Sequence, residues 1–176
     1  MKAASLKEIK NELETRDPKE LVDLAVALAK YKKENKELLT YLLFQSVDEE
    51  EYIENVKTEI KNQFKLINKT NIFFAKKSIR KALRIANKYI KYSGKKETEV
   101  ELLIYFNTLF KETGIPFQNS AAMSNLYNRQ MLRINKALKS IHEDLQYDYK
   151  KELAKLEVVE GGNQGSVFMR VLKGRG

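Results

Sequence analysis

Residues 71–94, NIFFAKKSIRKALRIANKYIKYSG, decide how this chain is read. At about 100° per residue, Ile79, Ala82, Leu83, Ala86, Tyr89 and Ile90 gather on one side of a helix. Lys77, Lys81, Arg84, Lys88, Lys91 and Lys95 fall within roughly 40° of one line on the other side. The spacing predicts an amphipathic helix from about Asn71 to Ser93, with a buried apolar face and a cationic ridge about 27 Å long. Gly94 is the stop, because a left-handed cap residue is most often glycine. Phe74 and Tyr92 fall on the flank of the ridge, where a ring is expected to be partly exposed.

Outward from that helix, the apolar spacing stays helical nearly everywhere and the start signals are explicit. Ser5 with Glu8 is a capping box, and Asp17-Pro18-Lys19-Glu20 is a second one with proline at the first helical position. The helix it opens, about Pro18 to Tyr31, is apolar over much of its circumference and is expected to sit centrally. A third helix is predicted over about Lys36 to Gln45. A fourth starts after Ser46 or Asp48, with Glu49, Glu50 and Glu51 in a first turn that favours negative charge, and runs to about Ile67. Thr98 with Glu101 marks the start of a sixth, ended by Gly114 and Pro116. From Ser120 nothing interrupts the pattern to about Val158, predicting one helix roughly 57 Å long. The expected fold is all-α: one domain over 1–158, an irregular bundle or short stack of six to seven helices with a long C-terminal helix. No fixed repeat names a solenoid. Residues 159–176, with the Gly161–Ser166 linker and the apolar hexamer Val167–Leu172, are expected to form a flexible, Gly-rich basic tail.

Composition narrows the chemistry. The chain has 176 residues, 33 Lys and Arg against 24 Asp and Glu, a formal charge of +9, one His and no Cys or Trp. Lack of Cys removes disulfides, thiolate nucleophiles and Cys-type zinc sites, and a single His removes a multi-histidine metal centre. The longest apolar run, Leu24 to Ala29, is far shorter than the ~20 residues of a membrane span. Nothing at the N-terminus reads as a signal peptide. The expectation is a soluble cytoplasmic protein without an integral membrane segment.

The charge is unevenly placed. The 37 residues from Ile60 to Lys96 contain twelve Lys or Arg and no Asp or Glu, while the rest of the chain holds 21 basic and 24 acidic residues. Like charges at i,i+4 repel by a few tenths of a kcal/mol per pair, so some benefit must offset the repulsion. Three explanations fit. Carboxylates of the same chain, on Glu49 to Glu59 or on Glu97, Glu99 and Glu101, cover the ridge, or water alone does. Nucleic-acid phosphates bind it, since clustered cations release condensed counterions. Or an acidic protein or an anionic membrane surface docks there, the membrane being disfavoured because the opposite face is needed for the core.

No other constellation carries chemistry. His142 lacks the positioned partner and pocket that a general base requires. Asp48-Glu49-Glu50-Glu51 lacks the alternation and glycine of a calcium loop. No phosphate-cradling glycine loop, nucleophile elbow or H-E-x-x-H is present. No catalytic residue, metal ligand or cofactor is therefore expected. Ile134, Leu138, Ile141 and Leu145 form a stripe that shifts to Tyr149, Leu153 and Leu156, which argues against a long regular coiled coil. Tyr147, Tyr149 and Leu153 are the candidate homodimer contact on that helix.

Two resemblances accompany these readings. Ser5-Leu6-Lys7-Glu8-Ile9-Lys10 followed by Leu21-Val22-Asp23-Leu24 resembles the SAP-type DNA-binding helix pair, although the connection is shorter and the glycine before the second helix is missing. DNA binding is not carried over from it. The stretch from Tyr31 to Phe44, YKKENKELLTYLLF, resembles a small bacterial all-helical family of unknown function, which implies an all-helical fold and no site residues. The expected function is that of a non-enzymatic interaction or scaffold protein with a cationic helix face, its partner an unidentified acidic protein. The alternative is a sequence-independent binder of RNA or DNA backbone.

Overall fold

The computed structural model describes residues 2–157, so the predicted tail over 159–176 lies outside the described residues. Among the described residues there are eight α-helices and no strand: α1 (Leu6–Leu13), α2 (Pro18–Tyr31), α3 (Lys33–Thr40), α4 (Glu49–Lys65), α5 (Ile72–Ser93), α6 (Lys96–Glu112), α7 (Ala121–Leu138) and α8 (Glu143–Glu157). A π-helical turn, Tyr41–Gln45, follows α3, and a 3-10 turn, Phe117–Asn119, precedes α7. The chain divides into two compact units, residues 1–54 and 55–176.

In the N-terminal unit both capping boxes form. Ser5 Oγ and Asp17 Oδ1 accept from the backbone N–H of Glu8 and Glu20, whose carboxylates return the bond to the cap N–H groups. The central position expected for α2 is not observed: it buries no residue, and Leu21, Val22, Leu24, Val26 and Leu28 stay exposed. Its neighbours in this unit explain why. α1 and α3 have eight residues each, too short to wrap an apolar circumference, and a unit of this size buries a small share of its surface. Tyr41 is held inward against the ring of Tyr52, centroids 4.6 Å apart, with its hydroxyl donating to Glu49. The chain takes one extra residue in the next turn, with Ser46 N–H donating to Tyr41 O, so that Leu42, Leu43 and Phe44 face out together.

In the C-terminal unit α6 is the central helix. It buries Val100, Leu102, Leu103, Ile104, Phe106 and Phe110 and packs on α5, α7 and α8. Aromatic rings extend this core: Phe64 against Phe106 (5.4 Å), Phe110 against Phe117 (4.8 Å), and Phe117 stacked on Tyr127 (5.0 Å). α6 starts two residues earlier than predicted, behind Lys95. Thr98 is turned inward, where it accepts from Ser93 Oγ, because Gly94 (φ 67°) reverses the chain in so little space. On α5 the predicted Ile79, Ala82, Ala86 and Ile90 are buried, joined by Ala75, whereas Leu83 and Tyr89 are half-buried; Asn71 caps the first turn.

The single long helix predicted from Ser120 is two helices. α7 ends at Leu138 and α8 begins at Glu143, which gives eight helices where six to seven were expected. At the corner Ser140 and Ile141 N–H groups donate to Ala137 and Leu138 O, Ile141 is buried, and His142 Nδ1 accepts from Asp144 N–H. α8 then packs on α6, burying Leu153 and Leu156. Lys111 donates to the last carbonyls of α8, Lys155 O and Leu156 O. Burying a leucine contributes about 1.5–3 kcal/mol, more than the few helical hydrogen bonds rearranged at the corner.

One polar group in this core is at odds with its surroundings. Asn107 on α6 is fully buried, and neither Nδ2 nor Oδ1 has a partner among the described residues. An unsatisfied buried polar group costs about 1–3 kcal/mol. Asn107→Leu, which keeps the branched shape and removes both polar atoms, is expected to raise the free energy of unfolding by about that amount. Urea titration checks it: an unchanged or lower midpoint contradicts the assignment.

Candidate functional site

The outer face of α5 is cationic as the spacing predicts, but its membership differs. Lys77, Lys81, Arg84 and Lys91 are exposed. Lys88 is half-buried, its ammonium 4.3 Å from the centroid of the Tyr89 ring, so it leans to the flank. Lys95 lies beyond the helix end, at the cap position of α6, and drops out of the row. The row on the helix therefore runs from Lys77 to Lys91, about 21 Å. Phe74 is exposed and Tyr92 half-buried, as placed from the sequence.

Two residues absent from that prediction complete the site. Arg80, about 60° round the helix from Lys77, and Arg84 face Arg129 of α7 across a groove of about 410 Å³. Its lining holds those three guanidiniums, Asn87, Asn125 and Gln130, and the apolar Leu83, Ala122 and Leu126; no carboxylate is among them. None of Lys77, Arg80, Lys81, Arg84, Lys91 and Arg129 makes an ion pair or side-chain hydrogen bond among the described residues. Arg129 left a trace in the sequence: residues 113–142 contain no Asp or Glu, so α7 is a second acid-free helix. Only packing brings it beside α5.

Behind the groove, Arg133 fixes the electrostatics. One of its nitrogens donates to Asn87 Oδ1 (2.6 Å) and Gln130 Oε1 (3.2 Å), the other to Glu99 Oε1 (2.9 Å). Lys96 holds the second Glu99 oxygen at 2.7 Å. Burial pushes the Glu99 carboxyl up, but the hydrogen bonds and charges of Lys96 and Arg133 outweigh it and leave the group below its ordinary range. Glu101 is occupied likewise, by Lys57 at 2.7 Å and the Tyr149 hydroxyl at 3.0 Å. Burial and the Glu101 charge raise the Tyr149 phenol. On α4, Glu59 accepts from Tyr89 at 2.6 Å, and burial with this contact raises that phenol too. Glu99 and Glu101, expected as possible covers for the ridge, are engaged elsewhere. With Asn87 Oδ1 and Gln130 Oε1 accepting from Arg133, the amides keep nitrogen donors for a ligand, although Gln130 Nε2 already donates to Leu126 O.

His142 is exposed, its Nδ1 3.4 Å from a carboxylate oxygen of the exposed Asp144. Asp48 caps the Glu51 N–H, so the acidic cluster serves the start of α4. Among the described residues no group of three His, Asp or Glu could hold a metal ion, and no helix is long and apolar enough to cross a membrane. Of the proposed dimer contacts, Leu153 is buried and Tyr149 is bonded to Glu101, which leaves Tyr147 exposed.

Compared with protein-family models, curated proteins and solved structures, the chain matches none of them.

The lowered Glu99 carboxyl has a consequence for stability. A carboxyl whose pKa is depressed in the folded state stabilises the fold above its unfolded value, near 4.3, and that contribution is lost as pH falls through the folded value. Glu99→Gln is expected to cost about 1–2 kcal/mol at pH 7, discounted because Arg133 is partly exposed. The gap from the parent protein should close below about pH 4. Thermal unfolding across pH checks this; a gap that does not narrow contradicts it.

Proposed function

We propose that this is a non-enzymatic binding protein whose contact surface is the cationic face of α5 with the α5–α7 groove. Its ligand is the phosphate backbone of a nucleic acid, bound without base-sequence readout. The carrying observation is the groove lined by Arg80, Arg84 and Arg129 with no carboxylate in its wall. Guanidinium forks match phosphate oxygens in pairs, and arginine is less strongly hydrated than lysine, so three together favour phosphate over a lone carboxylate. Lys77, Lys81 and Lys91 extend the positive surface along the helix, as a backbone of repeating charge requires. Side-chain amides beside the guanidiniums are the usual companions in backbone contacts.

A second reading, that of an interaction or scaffold protein with a protein partner, is favoured by a separate observation. The N-terminal unit exposes Leu6, Val22, Leu28, Tyr31, Leu42, Leu43, Phe44 and Val47, more apolar side chain than scattered surface residues explain.

Affinity for a nucleic-acid duplex should fall steeply with salt, with a log–log slope of about −0.9 per phosphate neutralised. Arg80→Ala, Arg84→Ala and Arg129→Ala should each flatten that slope by about one phosphate. Their exposed, unpaired positions should keep the stability change within about 0.5 kcal/mol. Fluorescence anisotropy over a salt series checks it. Salt-independent binding, or variants with the parent slope, contradicts the proposal.

A further inference from the structure

The cationic face of α5 begins with two phenyl rings. Phe73 and Phe74 are 69% and 52% exposed, although large aromatics dominate protein cores. On the helical wheel Phe73 lies about 40° to one side of Lys77 and Phe74 about 60° to the other. Phe73 therefore stands within the sector that Lys81, Arg84 and Lys91 occupy further along, and Phe74 on its flank, about 20° beyond Lys81. The rings meet edge to face, 5.7 Å apart at 77°, an arrangement that leaves ring faces uncovered. Their backbone is held: Asn71 Oδ1 accepts from the N–H groups of both Phe73 and Phe74. An aromatic pair on a capped first turn, continuous with a row of cations, has the make-up of a surface that binds single strands. Phosphates follow the positive row while bases stack on ring faces.

We infer that Phe73 and Phe74 form a base-stacking platform, and that the preferred ligand is single-stranded nucleic acid. The inference rests on the phosphate-binding reading of the α5–α7 surface and narrows it. A duplex hides its base faces in its own stack, so the rings offer it nothing; a single strand presents them. Charge also selects this occupant. The stretch carrying the rings also holds Lys69, Lys76 and Lys77 and, from Ile60 to Lys96, no acidic residue, which suits a polyanion better than an uncharged apolar surface.

The test uses the full chain and three probes at one salt concentration: a single-stranded oligothymidine of about sixteen nucleotides, the same oligomer paired with its complement, and heparin, a polyanion without bases. Single-strand affinity should exceed duplex affinity. The double variant Phe73→Ala, Phe74→Ala should lower single-strand affinity about tenfold or more, with duplex affinity, heparin affinity and salt slope unchanged. Phe73→Trp in place of Phe73→Ala should restore part of the loss, since a larger ring still stacks. Equal effects on all three probes, or none, overturn the platform while leaving the groove's phosphate binding intact. So does a double variant whose effect is a change in sedimentation, which would make the rings a contact between copies. Failure of all three probes to bind the unaltered protein overturns the groove reading itself, and the platform with it.

Discussion

Arg133 donates hydrogen bonds to acceptors on three helices: Asn87 of α5, Gln130 of its own α7 and Glu99 of α6. It ties α5 and α7 at the distance that opens a groove between them. It also holds, with Lys96, both oxygens of the Glu99 carboxylate. A guanidinium suits this position because its planar fork reaches two directions at once and stays charged when partly desolvated. Lysine, a point charge on a flexible stem, could satisfy one of these acceptors but could not hold all three in fixed directions. Removing the guanidinium would leave Glu99, whose side chain is only 13% exposed, dependent on Lys96 alone.

From this arrangement the charge pattern of the C-terminal unit follows. Carboxylates on α6 face cations and phenols on α4, α7, α8 and α6 itself: Lys57 and Tyr149 for Glu101, Lys96 and Arg133 for Glu99. Lys77, Lys81, Arg84 and Lys91 on the outer side of α5 have no share in these pairs. α5 is instead held from behind by Ala75, Ile79, Ala82, Ala86 and Ile90, whose small and branched side chains pack it onto the core. Apolar burial at about 25 cal/mol per Å² exceeds the few tenths of a kcal/mol lost to each i,i+4 repulsion, so the helix tolerates an unneutralised face. Three arginines without carboxylates in one groove favour ligands that present paired oxygens at regular intervals.

Much of this could be read along the chain, and the exceptions have physical causes. Ser5 with Glu8, Asp17 with Glu20, and Gly94 as a helix stop are local signals that act within one turn, and each formed as read. Apolar periodicity placed Ile79, Ala82, Ala86 and Ile90 in the core, while Leu83 and Tyr89, read on the same face, are half-buried. The corner at Ser140 escaped because no glycine or proline marks it: the α7–α8 break is made by tertiary burial of Ile141, Leu153 and Leu156, and only the Ser140–Glu143 spacing hinted at a new start. The exposure of α2 escaped because composition reports apolarity and not whether neighbouring helices are long enough to cover it. The site was half legible. Lys77, Lys81, Arg84 and Lys91 share one helix face, whereas Arg129 joins them because α5 and α7 both pack on α6, and Lys95 left the row because Gly94 turns the chain.

If Lys77, Lys81 and Lys91 are open to phosphate while Lys57, Lys96 and Lys111 are committed to carboxylates and carbonyls, a phosphate polyanion will distinguish the two sets. Reductive methylation with isotope-labelled formaldehyde gives each lysine a resolved carbon signal and keeps its charge. On titration with a phosphate-backbone oligomer, the signals of Lys77, Lys81 and Lys91 are predicted to shift while those of Lys57, Lys96 and Lys111 stay in place. Uniform shifts across all lysines, or shifts led by Lys57 and Lys96, would contradict the account.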